Sequence, residues 1–207
     1  MKSIFRDYKC TDYEACESLV NGAWKFDDHF KPQALSDIAK CMYTKGSVIN
    51  SNFKKVVEVD GKVEGFIFGL NERGHKPKRG VWFGLNILRR ILFVKGVSFR
   101  EKRKLFWALN THEVNRSKVV DRGRSEIVLF VVSPRQQGDG NGKRLLSEFI
   151  AQCKESGVRS IVVETNKLGA SSFYEGVGFQ HVGDFYSPLH EYAEKDGQAC
   201  MYEYSCE

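Results

Sequence analysis

Three glycines between Gln137 and Lys143 have the spacing of a phosphate-binding turn. The run Gln-Gly-Asp-Gly-Asn-Gly lies between an apolar segment that ends at Val132 and an apolar stripe of helical period that begins at Leu145. Glycine lets a ligand approach the backbone closely, and the first N–H groups of a helix have no partner within the helix. A strand, a glycine-rich turn and a helix N-terminus therefore predict a site for phosphate groups.

Two common phosphate-binding signatures do not fit this turn. A nucleotide-hydrolase loop needs Gly-Lys followed by Ser or Thr, whereas Gly142-Lys143 is followed by Arg144. A dinucleotide-binding fingerprint needs Gly-x-Gly-x-x-Gly, and Lys143 stands where the third glycine belongs.

The turn instead resembles the pyrophosphate loop of the GNAT superfamily of acyl-CoA transferases, Gln/Arg-x-x-Gly-x-Gly/Ala. Two registers fit, Arg135 to Gly140 and Gln137 to Gly142. The second is preferred because Gln137 follows Pro134 by three residues, the usual spacing from the strand-ending proline. Downstream, the stretch from Asn166 to Phe179 resembles the second motif of the superfamily, Asn-x-x-x-Ala-x-x-x-Tyr-x-x-x-Gly-Phe. Two motifs in the right order form a strong joint signal over residues 120–204.

The resemblance implies an α/β (α+β) fold with a mixed, mostly antiparallel central sheet flanked by helices. It also implies acetyl-CoA as the co-substrate. No metal site is expected, because the five histidines are scattered away from any paired cysteines. Backbone groups of the central strand would pair with the pantetheine amides, and the amides of the turn would hold the pyrophosphate. The implied cofactor-binding residues are Val131, Val132, Gln137, Gly138, Asp139, Gly140, Asn141, Gly142, Lys143, Asn166 and Tyr174.

The turn departs from the usual pattern at two positions. Asn141 occupies a position that is often apolar, and Asp139 puts a negative charge close to the phosphates. We expect Lys143 and Arg144 to offset that charge.

Acyl transfer needs a neutral amine, a donor for the oxyanion and a proton for the departing thiolate. The resemblance implies Tyr174 as the acid and the Val132 N–H as the oxyanion donor. Packing is the alternative role for Tyr174, and capping of the next helix is an alternative or added role for Asn166. Glu126 is the candidate base, or else an ordinary exposed glutamate at a strand end. No cysteine flanks the loop or Tyr174, which favours direct transfer over a cysteine relay.

Periodicity and turn chemistry predict the elements that position these residues. Two buried strands are predicted, at Glu126–Val132 and Arg159–Thr165, and the helix between them should end at Gly157. In the N-terminal half, a strand is predicted at Ser3–Tyr8. Two helices follow, one from a Thr11-Asp12-Tyr13-Glu14 capping box to Trp24 and one from Pro32 to Tyr43. A hairpin of Phe53–Val59 and Lys62–Gly69 is predicted around the Asp60-Gly61 turn. That is the order in which GNAT domains open.

Residues 72–125 are longer than the usual connection and predict two helices, Val81–Phe93 and Ser98–Val114. Between Lys76 and Arg124 there are 14 Lys/Arg and 3 Asp/Glu, a net charge of +11 in a chain whose total is +6. Three interpretations remain open. In the first, the helices pack their aromatic residues on the sheet and turn their charges to water. In the second, they form a basic wall that attracts the phosphates of CoA or an acidic acceptor. In the third, they dock on an anionic membrane surface or nucleic acid. No nucleic-acid-binding signature accompanies the charge, so neither a nucleic-acid nor a membrane partner is assigned.

Length and composition predict one domain, residues 1–207, with a helical basic insertion at 72–125 and an acetyl-CoA-binding core at 126–179. No apolar stretch approaches about 18 residues, and Met1–Asp7 does not resemble a signal peptide. Six cysteines without a Cys-x-x-Cys pair predict free thiols in a reducing, cytoplasmic compartment.

The sequence thus predicts an N-acetyltransferase acting on a primary amine of a small molecule or peptide. The alternatives are a longer-chain acyltransferase, with the aromatic insertion lining an acyl tunnel, and a non-catalytic CoA-binding regulator or scaffold. The strand Cys200–Tyr204 is either an exchange or dimer edge, which would give a homodimer, or simply the last strand.

Overall fold

The computed structural model describes residues 3–75, 80–121, 123–166, 169–191 and 196–207. These residues form a seven-stranded sheet in the order β1-β2-β3-β4-β5-β7-β6. The strands are β1 (Ser3–Asp7), β2 (Phe53–Val59), β3 (Lys62–Leu70), β4 (Ser125–Val132), β5 (Ser160–Asn166), β6 (Gln180–Tyr186) and β7 (Gln198–Ser205). The helices are α1 (Tyr13–Trp24), α2 (Phe26–His29), α3 (Gln33–Asn50), α4 (Gly80–Phe93), α5 (Phe99–Arg116), α6 (Asn141–Glu155) and α7 (Ser171–Gly176).

The predicted mixed, mostly antiparallel sheet is confirmed. Only β4 and β5 run parallel, and every other neighbouring pair is antiparallel. The hairpin turn forms at Asp60 and Gly61, which have φ values of 49° and 78°. Such positive values suit the tight turn that the Asp-Gly pair predicts.

Two helix starts contrast a confirmed prediction with a wrong one. The side chain of Ser98 accepts the N–H of Glu101, whose carboxylate accepts the N–H of Ser98 at 2.7 Å, so the predicted capping box at α5 forms. The capping box predicted at Thr11 does not form. Instead, Asp12 accepts the Lys9 N–H at 2.7 Å and two hydrogen bonds from Arg6, and a 3₁₀ turn precedes α1.

Helix α3 continues seven residues beyond the predicted end at Tyr43. The small residues that follow permit close packing: a Cβ added at Gly46 would lie 3.2 Å from the ring of Phe83 on α4. The extension therefore forms a platform for the helices of the basic segment.

Each face of the sheet is covered by its own apolar cluster. Helices α6 and α7 pack on one face through Leu145, Leu146, Phe149 and Tyr174. Helices α1 to α3 pack on the other through residues that include Cys16, Val20 and Ala39.

The α4 and α5 helices confirm the two helices predicted within 72–125, but their apolar residues do not pack on the sheet as one interpretation expected. Ile87, Ile91 and Val94 pack with Ile38 of α3 in a separate cluster, joined by Phe83 and Phe106. Trp82, Phe93 and Trp107 are exposed. Lys76 to Arg79 and Arg122, which contribute to the basic count, lie outside the described residues.

A cleft opens between β4 and β5. The two strands pair only where Ser125–Ile127 faces Ile161–Val163. Beyond that point β4 continues to Val132 with β3 as its neighbour, and β5 continues to Asn166 with β7 as its neighbour. Among the described residues, the facing edges of these two segments have no strand partner, and we call this space the β4–β5 cleft.

The last strand does not form an edge of the sheet. Strand β7 contains Cys200–Tyr204 and lies between β5 and β6, so the interpretation of this segment as a dimer edge is wrong. The edges are β1 and β6. No helix of the described residues is long and apolar enough to cross a membrane.

Candidate active site

The glycine-rich turn joins the end of β4 to the first turn of α6. After a 3₁₀ turn at Pro134–Gln136, Gly138 and Gly140 adopt φ values of 90° and 79°. Gly140 is the N-cap of α6, and Gly142 lies in its first turn. A non-glycine residue is strained at such positive φ values, so these positions favour glycine. Because α6 starts at Asn141, its first amides, which have no partner within the helix, include those of Asn141 and Gly142 at the end of the Gln137–Gly142 motif.

The polar residue at position 141 has a structural explanation. Asn141 is buried, and its side-chain nitrogen donates a hydrogen bond to the side-chain oxygen of buried Gln136 at 3.2 Å. The pair satisfies two polar groups in a place where an apolar side chain is more usual. Because its side chain is bonded to Gln136, Asn141 would contact a phosphate through its backbone N–H.

The two basic residues of the turn differ in what they contact. The guanidinium of Arg144 lies 4.1 Å from the ring centre of Phe5 and 3.8 Å from the carboxylate of Glu148. Lys143 is exposed and forms no ion pair with any described carboxylate. We therefore expect Lys143, more than Arg144, to offset the charge of Asp139.

The end of β4 presents Val132, rather than Val131, to the β4–β5 cleft. The Ser133 N–H bonds to the carbonyl of Glu64 on β3 at 2.8 Å. Because backbone groups alternate in direction along a strand, those of Val131 also point to β3 and those of Val132 point to the cleft. The Val132 carbonyl accepts a long hydrogen bond of 3.4 Å from the Gln137 side chain. The expectation that the backbone groups of both Val131 and Val132 bind the ligand is therefore corrected: only those of Val132 point to the cleft.

Tyr174 lies on α7 with its ring in the core. Its ring centre is 5.4 Å from that of Phe173 and 5.3 Å from that of Phe179, both in edge-on contacts. Burial raises the pKa of Tyr174 above its ordinary value, so the phenol is protonated at neutral pH. Its hydroxyl makes no hydrogen bond with any described residue. The ring thus packs, as one interpretation expected, while the hydroxyl is left free for a ligand.

Asn166 ends β5, and its side chain does not cap the next helix. The N-cap of α7 is Ala170, without a side-chain hydrogen bond, so the capping alternative is wrong. The Asn166 amide instead lies over Gly169, where an added Cβ would come within 1.8 Å of its oxygen. Lys167 and Leu168, between them, lie outside the described residues.

Glu126 is held by an ion pair near the point where β4 and β5 separate. Its Oε1 lies 2.6 Å from Nη2 of Arg116 on α5, and its side chain is 26% exposed. The Nε of Arg116 also binds Oε2 of Glu164 on β5 at 3.0 Å. The interpretation of Glu126 as an ordinary exposed strand-end glutamate does not fit this half-buried, bridged position.

Two histidines complete what we call the polar cluster: His112, Arg116, Glu126, Glu164 and His190. The Nε2 of His190 lies 2.9 Å from Oε1 of Glu164, and that of His112 lies 3.8 Å from Oε2. The Nδ1 of His112 lies 2.9 Å from the hydroxyl of Ser187. Of these five residues, the sequence predicted a role only for Glu126. The one signal that could have pointed to the others is the four-residue spacing of His112 and Arg116, which places both on one face of a helix.

The pKa values of the two carboxyl groups shift in opposite directions. Burial raises the pKa of Glu126, and the charge of Arg116 offsets this only in part. Burial also acts on Glu164, but the His190 hydrogen bond and the charges of both histidines and Arg116 outweigh it and lower the pKa. Carboxyl groups driven apart in this way are suited to different roles in proton transfer.

The polar cluster and the glycine-rich turn belong to one cleft. Ile127 and Val163 pack toward α6, so the neighbouring Glu126 and Glu164 project from the opposite face of the sheet. The turn follows β4 at the far end of the same cleft. A ligand held by its phosphates at the turn could therefore extend between the strands toward the carboxylates.

Other features of the surface lie outside this cleft. Cavities of about 290 and 470 Å³ border the outer side of α6 and the start of α1, and neither includes Val132 or Glu164. On β6 and β7, the side chains of His181, Asp184 and Cys200 place possible metal-ligand atoms within 4.8 Å of one another. None of the three belongs to the polar cluster.

Comparison with known proteins identifies the region that carries the site. Residues 97–187 match a family model described as an acetyltransferase (GNAT) domain, a range that runs from α5 to the end of β6. N-acetyltransferase 8B of Rattus norvegicus is 31% identical over 71 residues, which is 32% of this chain and 32% of that protein. The match thus spans about a third of the length of the curated relative.

Solved structures share the fold along the whole chain. SsHAT superposes with a TM-score of 0.67 at 16% identity and covers 100% of both chains. The protein yncA of Salmonella typhimurium, solved with its cofactor acetyl-CoA, has a TM-score of 0.55 at 15% identity, covering 100% of this chain and 95% of its own. At these identities the likeness shows the fold.

Proposed function

We propose that this chain, of which residues 97–187 match a GNAT acetyltransferase domain, is an N-acetyltransferase that moves an acetyl group from acetyl-CoA to a primary amine. The observation that carries the proposal is the β4–β5 cleft, which has a glycine-rich helix start at one end and the bridged pair Glu126 and Glu164 beside the other. The matched domain includes all of these features.

The cleft fits the chemical parts of the co-substrate. Left-handed Gly138 and Gly140 and the first-turn amides of α6 suit a pyrophosphate. The backbone groups of Val132, whose carbonyl accepts only the long Gln137 hydrogen bond among the described residues, suit a pantetheine amide or the thioester oxygen. Asn166 ends the facing strand. The structure of yncA with acetyl-CoA, which has the same fold, supports the choice of ligand.

Bound acetyl-CoA supplies an activated thioester that a neutral amine can attack. In the proposal, Glu126 accepts the proton that the amine loses, directly or through water. Its raised pKa brings it closer to neutral pH, where a base is most effective. Glu164 stays ionised and, through Arg116, holds Glu126 in place.

Two further groups complete the transfer. In the proposal, the Val132 N–H donates to the carbonyl oxygen as negative charge develops there. The Tyr174 hydroxyl, which is protonated and lacks a partner among the described residues, gives its proton to the departing sulfur. No step requires a cysteine, in line with direct transfer.

The structure favours this proposal over the two alternatives. The aromatic residues of 72–125 that the structure describes pack on α3 or face solvent, so they line no acyl tunnel beside Val132. The partly buried Arg116 between two carboxylates, together with the raised pKa of Glu126, supports a catalytic role over that of a scaffold. The six free cysteines support the cytoplasmic assignment.

The test measures CoA release with a thiol reagent while acetyl-CoA and a panel of amines are supplied. The panel covers amino acids, polyamines, and peptides with free N-termini or lysines, with products identified by mass spectrometry. We expect an acetylated amine, with hexanoyl-CoA and palmitoyl-CoA used less well. Binding of acetyl-CoA with no product on any amine would contradict the enzymatic assignment and favour the scaffold.

A further inference from the structure

Helix α4 and the first part of α5 expose an unusual amount of apolar surface. Twelve large hydrophobic side chains of the described residues are exposed, and nine of them lie between residues 81 and 114. Trp82, Phe93 and Phe99 are 78%, 78% and 80% exposed, and Trp107 is 56% exposed. An apolar patch of this kind on a protein surface indicates a binding partner.

The exposure follows from the composition of α4. This helix of 14 residues has only three polar side chains, Asn86, Arg89 and Arg90. One side packs on α3 through Ile87 and Ile91, and the opposite side, which includes Leu85 and Leu92, faces solvent. A helix that is apolar all round requires cover on both sides.

Basic side chains surround the exposed apolar residues. Residues 80–112 hold seven Lys/Arg against one acid, Glu101, whose carboxylate caps its own helix. Within the described part of the chain, none of these seven forms an ion pair with a carboxylate: Arg89, Arg90, Lys95, Arg100, Lys102, Arg103 and Lys104. The charge of the patch is therefore available to an anionic partner.

Cations and apolar groups share the same helical faces. On α5, Phe99, Arg103 and Trp107 follow at four-residue spacing, and on α4, Arg89 lies one turn from both Leu85 and Phe93. At a lipid surface, aromatic groups can enter the headgroup region while long basic side chains reach the phosphates. A second copy of this chain would instead bring like charges together.

We propose that this surface, α4 with residues 99–107 of α5, docks on an anionic lipid membrane without crossing it. Trp82, Phe93, Phe99 and Trp107 enter the interface, and the basic residues bind the anionic headgroups. Helix α5 also carries Arg116, about 14 Å further along its axis at nine residues from Trp107.

The first test is vesicle flotation of the full chain with phosphatidylcholine alone and with phosphatidylcholine containing phosphatidylglycerol. We expect at least tenfold more binding to the anionic vesicles and a loss of most of it in high salt. Two variants should each lower binding to the anionic vesicles at least tenfold. One is the double variant Trp82→Ser with Phe93→Ser, and the other is the triple variant Arg100→Gln with Arg103→Gln and Lys104→Gln. All five side chains lie outside the core clusters, and a thermal melt checks folding.

The matched control is Ile4→Ser with Val182→Ser, which removes two exposed hydrophobic residues on other elements and should leave binding unchanged. Tryptophan fluorescence gives an independent readout. Trp24 packs in the core, so Trp24→Phe leaves Trp82 and Trp107 as reporters. Their emission should shift to shorter wavelength on anionic vesicles and be quenched by brominated lipid.

Three outcomes would overturn the proposal. The first is no binding to anionic vesicles, and the second is equal binding to neutral ones. The third is a dimer in solution that the Trp82→Ser and Phe93→Ser substitutions abolish, since a second copy would then cover the patch.

Discussion

Glu126 and Glu164, on neighbouring parallel strands, share the guanidinium of Arg116, which lies 2.6 Å from one carboxylate and 3.0 Å from the other. The arrangement keeps two like charges together at the end of the β4–β5 cleft. Burial raises the pKa of Glu126, while the neighbours of Glu164 lower its pKa. We infer that Glu126 exchanges the proton and Glu164 remains ionised.

Glu126→Gln tests the assigned base. The substitution removes the proton acceptor but leaves Arg116 paired with Glu164, so the fold should persist. We expect kcat to fall about 10²- to 10⁴-fold with little change in acetyl-CoA affinity. Steady-state kinetics and calorimetry measure both, with exposed Glu155→Gln as the control. Unchanged kcat would assign the base elsewhere.

Arg116→Gln tests the pKa relationship between the carboxyl groups. A base acts when deprotonated, so activity is present above the pKa of Glu126 and is lost as pH falls through it. Arg116 lowers that pKa, and its removal leaves burial and the charge of Glu164, which both raise it. The acidic limb of the kcat profile should therefore move to higher pH by about one unit or more. A limb that stays in place, or moves to lower pH, would contradict the assignment.

Tyr174→Phe tests the proposed acid. The hydroxyl bonds to no described residue, so its loss should hardly change the melting temperature. We expect kcat to fall at least about tenfold because the thiolate loses its proton donor. Tyr202→Phe is the opposite control: it removes a 2.9 Å hydrogen bond to Glu175 and should cost about 1 kcal/mol of stability without lowering kcat. Equal kcat for Tyr174→Phe and the wild type would leave Tyr174 only its packing role.

Local chemistry made the conformation of the glycine-rich turn predictable. A glycine-rich turn between a strand and a helix is a contiguous signal, and the positive φ values of Gly138 and Gly140 agree with it. The Asp60-Gly61 turn and the Ser98 capping box are equally local, and both form. At Thr11 the local pattern failed because Cys10–Asp12 forms a 3₁₀ turn, in which Asp12 accepts the Lys9 N–H and two hydrogen bonds from Arg6 of β1.

The polar cluster, the packing side of α4 and the position of β7 in the sheet depend on contacts between distant segments of the chain. His112 and Arg116 of α5 meet Glu164 and His190, which come from two other parts of the chain, and no spacing in the sequence links them. Likewise, α4 is apolar on both sides, so periodicity does not reveal which side packs on α3. The placement of β7 inside the sheet follows from its pairing with both β5 and β6.

The most direct test of the central claim is a calorimetric titration with acetyl-CoA of the wild type, Gly140→Glu and Gly157→Glu. Both glycines have left-handed φ values, 79° and 70°, and an added Cβ meets no atom within 4 Å at either. The two substitutions should thus cost similar backbone strain, about 1 to 2 kcal/mol. They lie at opposite ends of α6, so only the glutamate at position 140 faces the phosphates.

We predict that the wild type and Gly157→Glu bind acetyl-CoA alike and that Gly140→Glu binds at least tenfold more weakly. Equal affinity for all three proteins would show that the glycine-rich turn does not hold the cofactor. No binding to the wild type would contradict the proposed acetyltransferase activity itself.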